Sequence, residues 1–292
     1  MNKVNGLDFQ IEPIVDLALA EDLGQSDITT KALIPDEQQG VGSIVVKGKG
    51  ILAGVQIAKK VFLRVDPCLK VDIYFQDGAE LESGTIIAKV EGKAASILKA
   101  ERVALNFLQR LSGIASETNR YVKAAKGLPV QIMDTRKTAP GLRLLEKYAV
   151  KIGGGENHRM NLGDGILVKD NHLAALRSRG LSMKEIITRV KQNSPRRFKI
   201  EVEAKSIEEA REAVDGGADI VMLDNMSLDE MRQAVKAIHG RALIEASGGI
   251  TLDRVRAIAE TGVDFISVGA LTHSVKALDL SLELVGPEQA SG

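Results

Sequence analysis

The feature that most constrains this chain is a rhythm in its second half. Six short apolar runs alternate with amphipathic segments: Val130-Gln-Ile-Met-Asp134, Gly165-Ile-Leu-Val-Lys169, Lys199-Ile-Glu-Val-Glu203, Ile220-Val-Met-Leu-Asp224, Ala242-Leu-Ile-Glu-Ala246 and Phe265-Ile-Ser-Val-Gly269. The last four recur roughly every 20 residues, which is the spacing of βα units in a parallel sheet or barrel. Helical patterns fill the gaps at 183–190, 207–214, 228–238 and 252–260. Each run closes on a polar residue or a glycine: Asp134, Lys169, Glu203, Asp224, Ser247 and Gly269. A parallel barrel strand is buried on both sides, so its interior is expected to be apolar and its functional side chains to emerge at its C-terminal end. Six such endings on one rim predict a single mouth and a shared active site.

The first half has a different texture. Residues 11–23 carry apolar side chains at helical spacing and stop at Gly24. From about residue 40 to 92, short β-like runs are separated by glycines and by the turn-like Gln76-Asp-Gly78, with one helical pattern at 57–65. This reads as a small mixed α+β unit. A helix is expected from Ser96 to about Gln109, and the last residues, 286–292, are expected to fray.

Composition excludes several functions. Lys plus Arg and Asp plus Glu are 39 each, so the net charge is zero and nothing favours nucleic acid or an anionic membrane globally. Aromatics are 3% with no Trp, too few for base-stacking platforms, and the core must be aliphatic. The single cysteine, Cys68, rules out an intrachain disulfide and a multi-cysteine metal site. The N-terminal residues lack an uninterrupted apolar core, and no stretch approaches the roughly 20 apolar residues of a membrane span. A cytoplasmic location is the resulting expectation.

The cations gather where the strands end. Arg136 and Lys137 lie in Asp134-Thr-Arg-Lys-Thr138, His158 and Arg159 follow Gly153-Gly-Gly155, and Lys169 directly ends an apolar run. Arginine grips carboxylates and phosphates through paired hydrogen bonds and lysine supplies a point charge, so this set suits a small polyanion. His158 and His172 have no neighbouring Cys or metal-ligand spacing, which argues against zinc. The glycine-rich turns Ser247-Gly-Gly249 and Gly269-Ala270 match the loops that hold a phosphate in barrels, with Thr251 placed to cap the next helix. Glu203 and Asp224 bring hard carboxylates to the same mouth, fit for Mg²⁺ arriving with a diphosphate or for stabilising a cationic sugar carbon. Glu203 is placed at the rim; Glu201, which alternates with it across the strand, is not assigned.

At these residues the chain resembles the quinolinate phosphoribosyltransferase family. The likeness runs in order through Ala18-Leu-Ala-Glu-Asp-Leu-Gly24, Asp27-Ile-Thr29, Glu101-Arg-Val-Ala-Leu-Asn106, Leu111-Ser-Gly-Ile-Ala115, Asp134-Thr-Arg-Lys-Thr138, Asn157-His-Arg159, Lys169-Asp-Asn-His172, Leu223-Asp-Asn225, Ser247-Gly-Gly249 and Val268-Gly-Ala-Leu-Thr-His273. The resemblance implies an α/β fold, an incomplete TIM-like α/β barrel with an N-terminal α/β sandwich domain. It places the sandwich at 1–112 and the barrel at 113–273, with C-terminal helices at 274–292 packing back on the first domain. It implies transfer of phosphoribose from 5-phosphoribosyl 1-diphosphate to quinolinate with decarboxylation, giving nicotinate mononucleotide, diphosphate and CO2 in NAD biosynthesis. Mg²⁺ would accompany the diphosphate, and no organic cofactor is implied.

The resemblance also distributes roles. Arg102 from the partner subunit, Arg136, Lys137, His158, Arg159 and Lys169 would bind the quinolinate carboxylates and the phosphates, with Thr135 beside them. Glu203 and Asp224 would hold the Mg-diphosphate and ribose side. Ser247, Gly248, Gly249, Val268, Gly269 and Ala270 would take the 5-phosphate. Lys137, Lys169, Glu203 and Asp224 are the catalytic members, and the implied assembly is a homodimer with a shared site, or a hexamer. Rival readings are a phosphoribosyltransferase of the same fold, either one of molybdenum operons or one that uses nicotinate without decarboxylation, a Schiff-base aldolase with Lys169 as the amine, and a non-catalytic anion-binding barrel.

Overall fold

A computed structural model of the chain describes residues 4–238 and 240–286; most of the segment expected to fray lies outside them. The chain divides into two compact units. One comprises Met1–Glu117, Ala139–Gly153 and Val275–Gly292, the other Thr118–Thr138 and Gly154–Ser274.

The first unit opens with α1 (Val4–Leu23), which buries Ile11, Val15 and Leu19 at four-residue spacing and ends before Gly24, as its pattern predicts. Then come α2 (Ile28–Leu33), β1 (Gln39–Val46), β2 (Gly50–Ile51), α3 (Val55–Val65), β3 (Lys70–Ile73), β4 (Glu80–Leu81) and β5 (Ile86–Lys93). The predicted turn residue Asp77 also closes the start of α3, because its carboxylate accepts the N–H groups of Gly54 and Val55 at 2.8 and 3.0 Å. β1, β5 and β3 are antiparallel neighbours in one sheet, and β2 pairs with β4.

Next, α4 (Ala94–Ala124) runs well past the expected end at Gln109 and through the expected domain boundary at 112/113. Leu111, Ile114, Ala115 and Tyr121 continue its apolar stripe. Gly113 is no breaker. A Cβ there would stand 2.4 Å from the Lys276 carbonyl oxygen, so the glycine admits a close backbone approach.

The second unit contributes β6 (Gln131–Met133). The following α5 (Arg143–Ile152) belongs to the first unit, where an Arg110–Glu146 ion pair and a bond from the Tyr148 hydroxyl to Asp77 hold it. No local sequence pattern announces those partners, so the boundaries differ here from a simple division at 112/113 and 273/274. The rest is β7 (Ile166–Val168), α6 (Asp170–Arg177), α7 (Met183–Asn193), β8 (Ile200–Ala204), α8 (Ile207–Gly216), β9 (Ile220–Asp224), α9 (Leu228–Ile238), β10 (Leu243–Ser247), α10 (Leu252–Ala259), β11 (Phe265–Ser267) and α11 (Ala270–His273). The six strands form one parallel sheet in the order β6-β11-β10-β9-β8-β7. This is the incomplete α/β barrel, its seam lying between β6 and β7. Glu156 is stitched to the β6 edge: its N–H donates to Ile132 O at 2.8 Å and its carbonyl accepts from Asp134 N at 3.1 Å.

The C-terminal expectation needs correction. Residues 280–285 form a strand, β12 (Leu280–Val285), antiparallel to β1, and not a helix. Leu280, Leu282 and Leu284 alternate with Ser281, Glu283 and Val285, a period of two that a helix could not bury on one face. Gly40 and Gly42 of β1 leave room for Leu284 and Leu282, whose methyl groups would lie 3.0 and 3.1 Å from added Cβ atoms.

Candidate functional site

The C-terminal ends of the parallel strands surround a cavity of about 610 Å³ in the second unit. Thr135, Arg136, Lys137, His158, Arg159, Lys169, Glu203, Asp224, Ser247, Gly248 and Gly249 all line it, whereas Val268, Gly269 and Ala270 do not. Strand period explains why. Glu203, Met222, Asp224, Glu245, Ser247 and Ser267 occupy alternate positions on adjacent strands and project to the same interior side.

The carboxylates are close enough to influence one another. Burial raises the Glu203 carboxyl above its ordinary value, and the neighbouring Asp224 and Asp170 push it further, against the pull of Lys169. Asp224 receives the Asn225 amide at 3.0 Å, and Asp170 pairs with Lys205 at 2.9 Å. Glu203 and Asp224 are the oxygen donors that this cavity could offer a divalent cation. On the cationic side, burial depresses the Arg159 guanidinium, Arg136 lowers it further, and Glu201 opposes them.

The Ser247-Gly-Gly turn is set by Asn225, whose φ of 58° is the one positive value among described non-glycine residues. Its N–H donates to Ser247 O at 3.0 Å. A Cβ on Gly248, where φ is +89°, would lie 2.4 Å from Asn225 Oδ1, so only glycine fits. Thr251 occupies the N-cap of α10 but makes no side-chain cap bond. Of the second predicted phosphate turn, Val268 is buried and spends its N–H on Met133 O at 2.9 Å, so it cannot donate to a phosphate. Gly269 and Ala270 begin α11 beside Lys137: Lys137 O accepts the Thr272 hydroxyl at 2.7 Å. Arg102 belongs to the first unit, exposed on α4.

Three buried acids went unassigned in the sequence or were placed elsewhere. Asp134, counted with the rim, is fully buried and accepts the His158 N–H at 2.9 Å. Glu201 faces the same interior side as Glu203, since residues two apart on a strand share a face; it lies 3.1 Å from His158 Nε2. Glu245, 1% exposed, stands 3.7 Å from the same nitrogen. The barrel interior is therefore not wholly apolar. The signal was present as a charged residue inside each of two apolar runs, Ile-Glu-Val-Glu and Leu-Ile-Glu-Ala.

Comparison with known proteins points one way. Residues 27–112 match the N-terminal domain of quinolinate phosphoribosyl transferase, and residues 114–283 match its C-terminal domain. A mitochondrial quinolinate phosphoribosyltransferase [decarboxylating] 2b of Nicotiana tabacum is 44% identical over 94% of this chain and 82% of its own length. A probable nicotinate-nucleotide pyrophosphorylase [carboxylating] of Bacillus subtilis is 43% identical, with 94% of each chain covered. Among solved structures, NadC from Streptococcus pyogenes superposes with a TM-score of 0.90 at 43% identity, covering 95% of this chain and 97% of that one.

Proposed function

The chain belongs to the quinolinate phosphoribosyltransferase family, and from that premise we propose that its strand-end cavity joins quinolinate to 5-phosphoribosyl 1-diphosphate. The activity is that of a decarboxylating phosphoribosyltransferase of NAD biosynthesis, yielding nicotinate mononucleotide, diphosphate and CO2. The observation that supports this site is the meeting of Arg136, Lys137, His158, Arg159 and Lys169 with Glu203 and Asp224 around one cavity. Quinolinate is a dianion and the sugar donor carries several negative charges, so cations must dominate one wall. Glu203 and Asp224, on the neighbouring strands β8 and β9, match a metal-bound diphosphate and a cationic sugar carbon.

In the first step the quinolinate ring nitrogen gives its lone pair to C1 of the ribose. The C1–oxygen bond to diphosphate breaks, and diphosphate leaves with that electron pair. Glu203 and Asp224 face the positive charge that builds on C1, while Lys137 and Lys169 face the departing anion and the carboxylates. Mg²⁺, where bound with the diphosphate, would be held by Glu203 and Asp224 and would neutralise the leaving group. In the second step the carboxylate next to the ring nitrogen leaves as CO2. Its bonding electrons remain on the ring carbon, stabilised by the adjacent cationic nitrogen, and that carbon then takes a proton. The arginines need only orient the departing carboxylate.

We further propose a homodimer in which Arg102 of one subunit reaches the substrate of the other, and a cytoplasmic location. Among the described residues no helix is long and apolar enough to cross a membrane. The deciding assay follows CO2 release from carboxyl-labelled quinolinate with the sugar diphosphate and Mg²⁺. Labelled CO2 in step with nicotinate mononucleotide is the expected result; turnover of nicotinate without CO2 from quinolinate would overturn it. Lys169→Ala should lower kcat by orders of magnitude yet keep stability within about 1 kcal/mol, since an exposed lysine contributes little packing.

A further inference from the structure

Both ring nitrogens of His158 are engaged inside the protein. Nδ1 accepts the Arg159 N–H at 2.9 Å, and Nε2 stands 3.1 Å from a Glu201 carboxylate oxygen. An Nδ1 that accepts leaves the proton on Nε2, where it donates to Glu201. The backbone N–H of His158 donates to the buried Asp134 carboxylate at 2.9 Å. His158 is thus fixed through its backbone and both sides of its ring, and the ring carries that fixation to the peptide of Arg159. Arg159 in turn directs Nη1 to Gly165 O at 2.9 Å. The cluster lies where two cavities meet inside the strand layer, since His158, Arg159 and Glu245 line both the strand-end cavity and a second one of about 470 Å³.

We propose that Glu201 and His158 are a positioning pair for Arg159. Glu201 holds the His158 ring as the Nε2–H tautomer, and Nδ1 then fixes the peptide from which the Arg159 guanidinium projects. The inference rests on the reading above that Arg159 binds a quinolinate carboxylate, and it reassigns His158 from substrate ligand to strut. Such a strut has a physical reason. The segment carrying Arg159 fills the barrel seam and is stitched to β6 at Glu156, so its far half needs a second anchor. A guanidinium must be aimed closely to make paired bonds to a carboxylate. His158, Glu201 and Glu245 also bring their ligand atoms within 4.8 Å of one another, a metal-like grouping. A cation would have to take Nε2 from its proton, whereas the Arg159 N–H on Nδ1 keeps the proton there.

Two measurements test the pair. In protein labelled with ¹⁵N-histidine, two-bond proton–nitrogen correlation distinguishes the tautomers of the four histidines, and the His158→Asn variant identifies the relevant signals. The expected result is Nε2–H with Nδ1 as acceptor. An Nδ1–H form, or a metal-shifted Nε2, in the unaltered protein would overturn the proposal without any variant. Kinetics supply the second readout. Glu201→Ala should raise the quinolinate KM about tenfold or more, with kcat and the KM for the sugar diphosphate changing less than about threefold. Glu201→Gln, whose amide oxygen can accept the same bond, should return the quinolinate KM to within about threefold. Equal losses in both variants, or a uniform fall in kcat, would mean a merely structural role. If Glu201→Ala does not fold, loss of the Nε2–H signature in Glu201→Gln with an unchanged quinolinate KM would count against the pair. Arg159→Ala separates the two levels: an unchanged quinolinate KM there removes Arg159 from binding, while the tautomer measurement still judges the pair.

Discussion

Glu245 shows how a single residue can be set against the stability of its own fold. Burial pushes its carboxyl well above the usual range, Glu201 pushes it further, and His158 opposes them. A carboxyl that holds its proton more tightly folded than unfolded contributes stability at low pH, and that contribution is lost as pH rises through the folded value. The Glu245→Gln variant should therefore gain on the unaltered protein as pH climbs from about 4.5 to about 8 and hold a constant lead above that. Paired thermal melts at pH 4.5, 6.5 and 8.5 check this, and parallel curves would contradict it. Gly248→Ala is the opposite case, a change too small to notice in sequence. It forces a Cβ into Asn225 Oδ1 at a left-handed φ of +89°, so a loss of about 2 kcal/mol in urea unfolding and a raised KM for the sugar diphosphate are expected. The glycine turn was legible because a doublet of glycines after a strand has few other uses. Its dependence on Asn225 was not, since a residue 23 positions away in the chain sets the space.

Among the elements, those whose apolar period is local were readable and those fixed by distant partners were not. The six parallel strands and the helices at 207–214 and 228–238 fall where their periods place them. The C-terminal helices that the family resemblance implied give way at 280–285 to β12, whose alternating leucines have a strand's period and which becomes compulsory when β1 offers its edge. α5 is the clearest case of distant control. Glu146, fully buried, accepts the Arg110 Nε–H at 2.8 Å and the Ala139 N–H at 3.1 Å, so it fixes both the helix and the turn before it. Removing one partner of a buried pair is strongly destabilising, but the Arg110 side chain is 36% exposed and can turn to water. Glu146→Ala should therefore cost about 2 kcal/mol, less than a fully sealed pair, with Glu146→Gln intermediate because it still accepts from Ala139. Denaturant titration of the two variants orders them; an order reversed, or no loss in either, would show that α5 is held by its apolar face alone.

For the whole molecule, the balance of 39 positive and 39 negative charges says nothing until the charges are placed. Four cationic side chains, Arg136, Lys137, Arg159 and Lys169, converge on one cavity of the second unit, so a neutral protein carries a strongly cationic site for a small polyanion. A further cation of the proposed site, Arg102, is exposed on α4 of the first unit, and by sequence alone an exposed helix arginine is simply solvated. Only the family resemblance gives it work, across a subunit interface. If that reading is right, the site belongs to the dimer and not to the chain. Arg102→Ala dimers lack the arginine at both sites, and Lys169→Ala dimers lack the lysine at both. Reassorted at equal ratio, half of the dimers are mixed, and each of those has one site doubly altered and one intact. About one quarter of the unaltered activity should then return from two nearly inactive proteins. The measurement is specific activity after mild dissociation and reassociation, with mixed dimers counted by native mass spectrometry. Activity that rises in proportion to mixed dimers places Arg102 in its neighbour's site. Mixed dimers without activity would confine the site to a single chain, and Arg102 would revert to an ordinary surface charge.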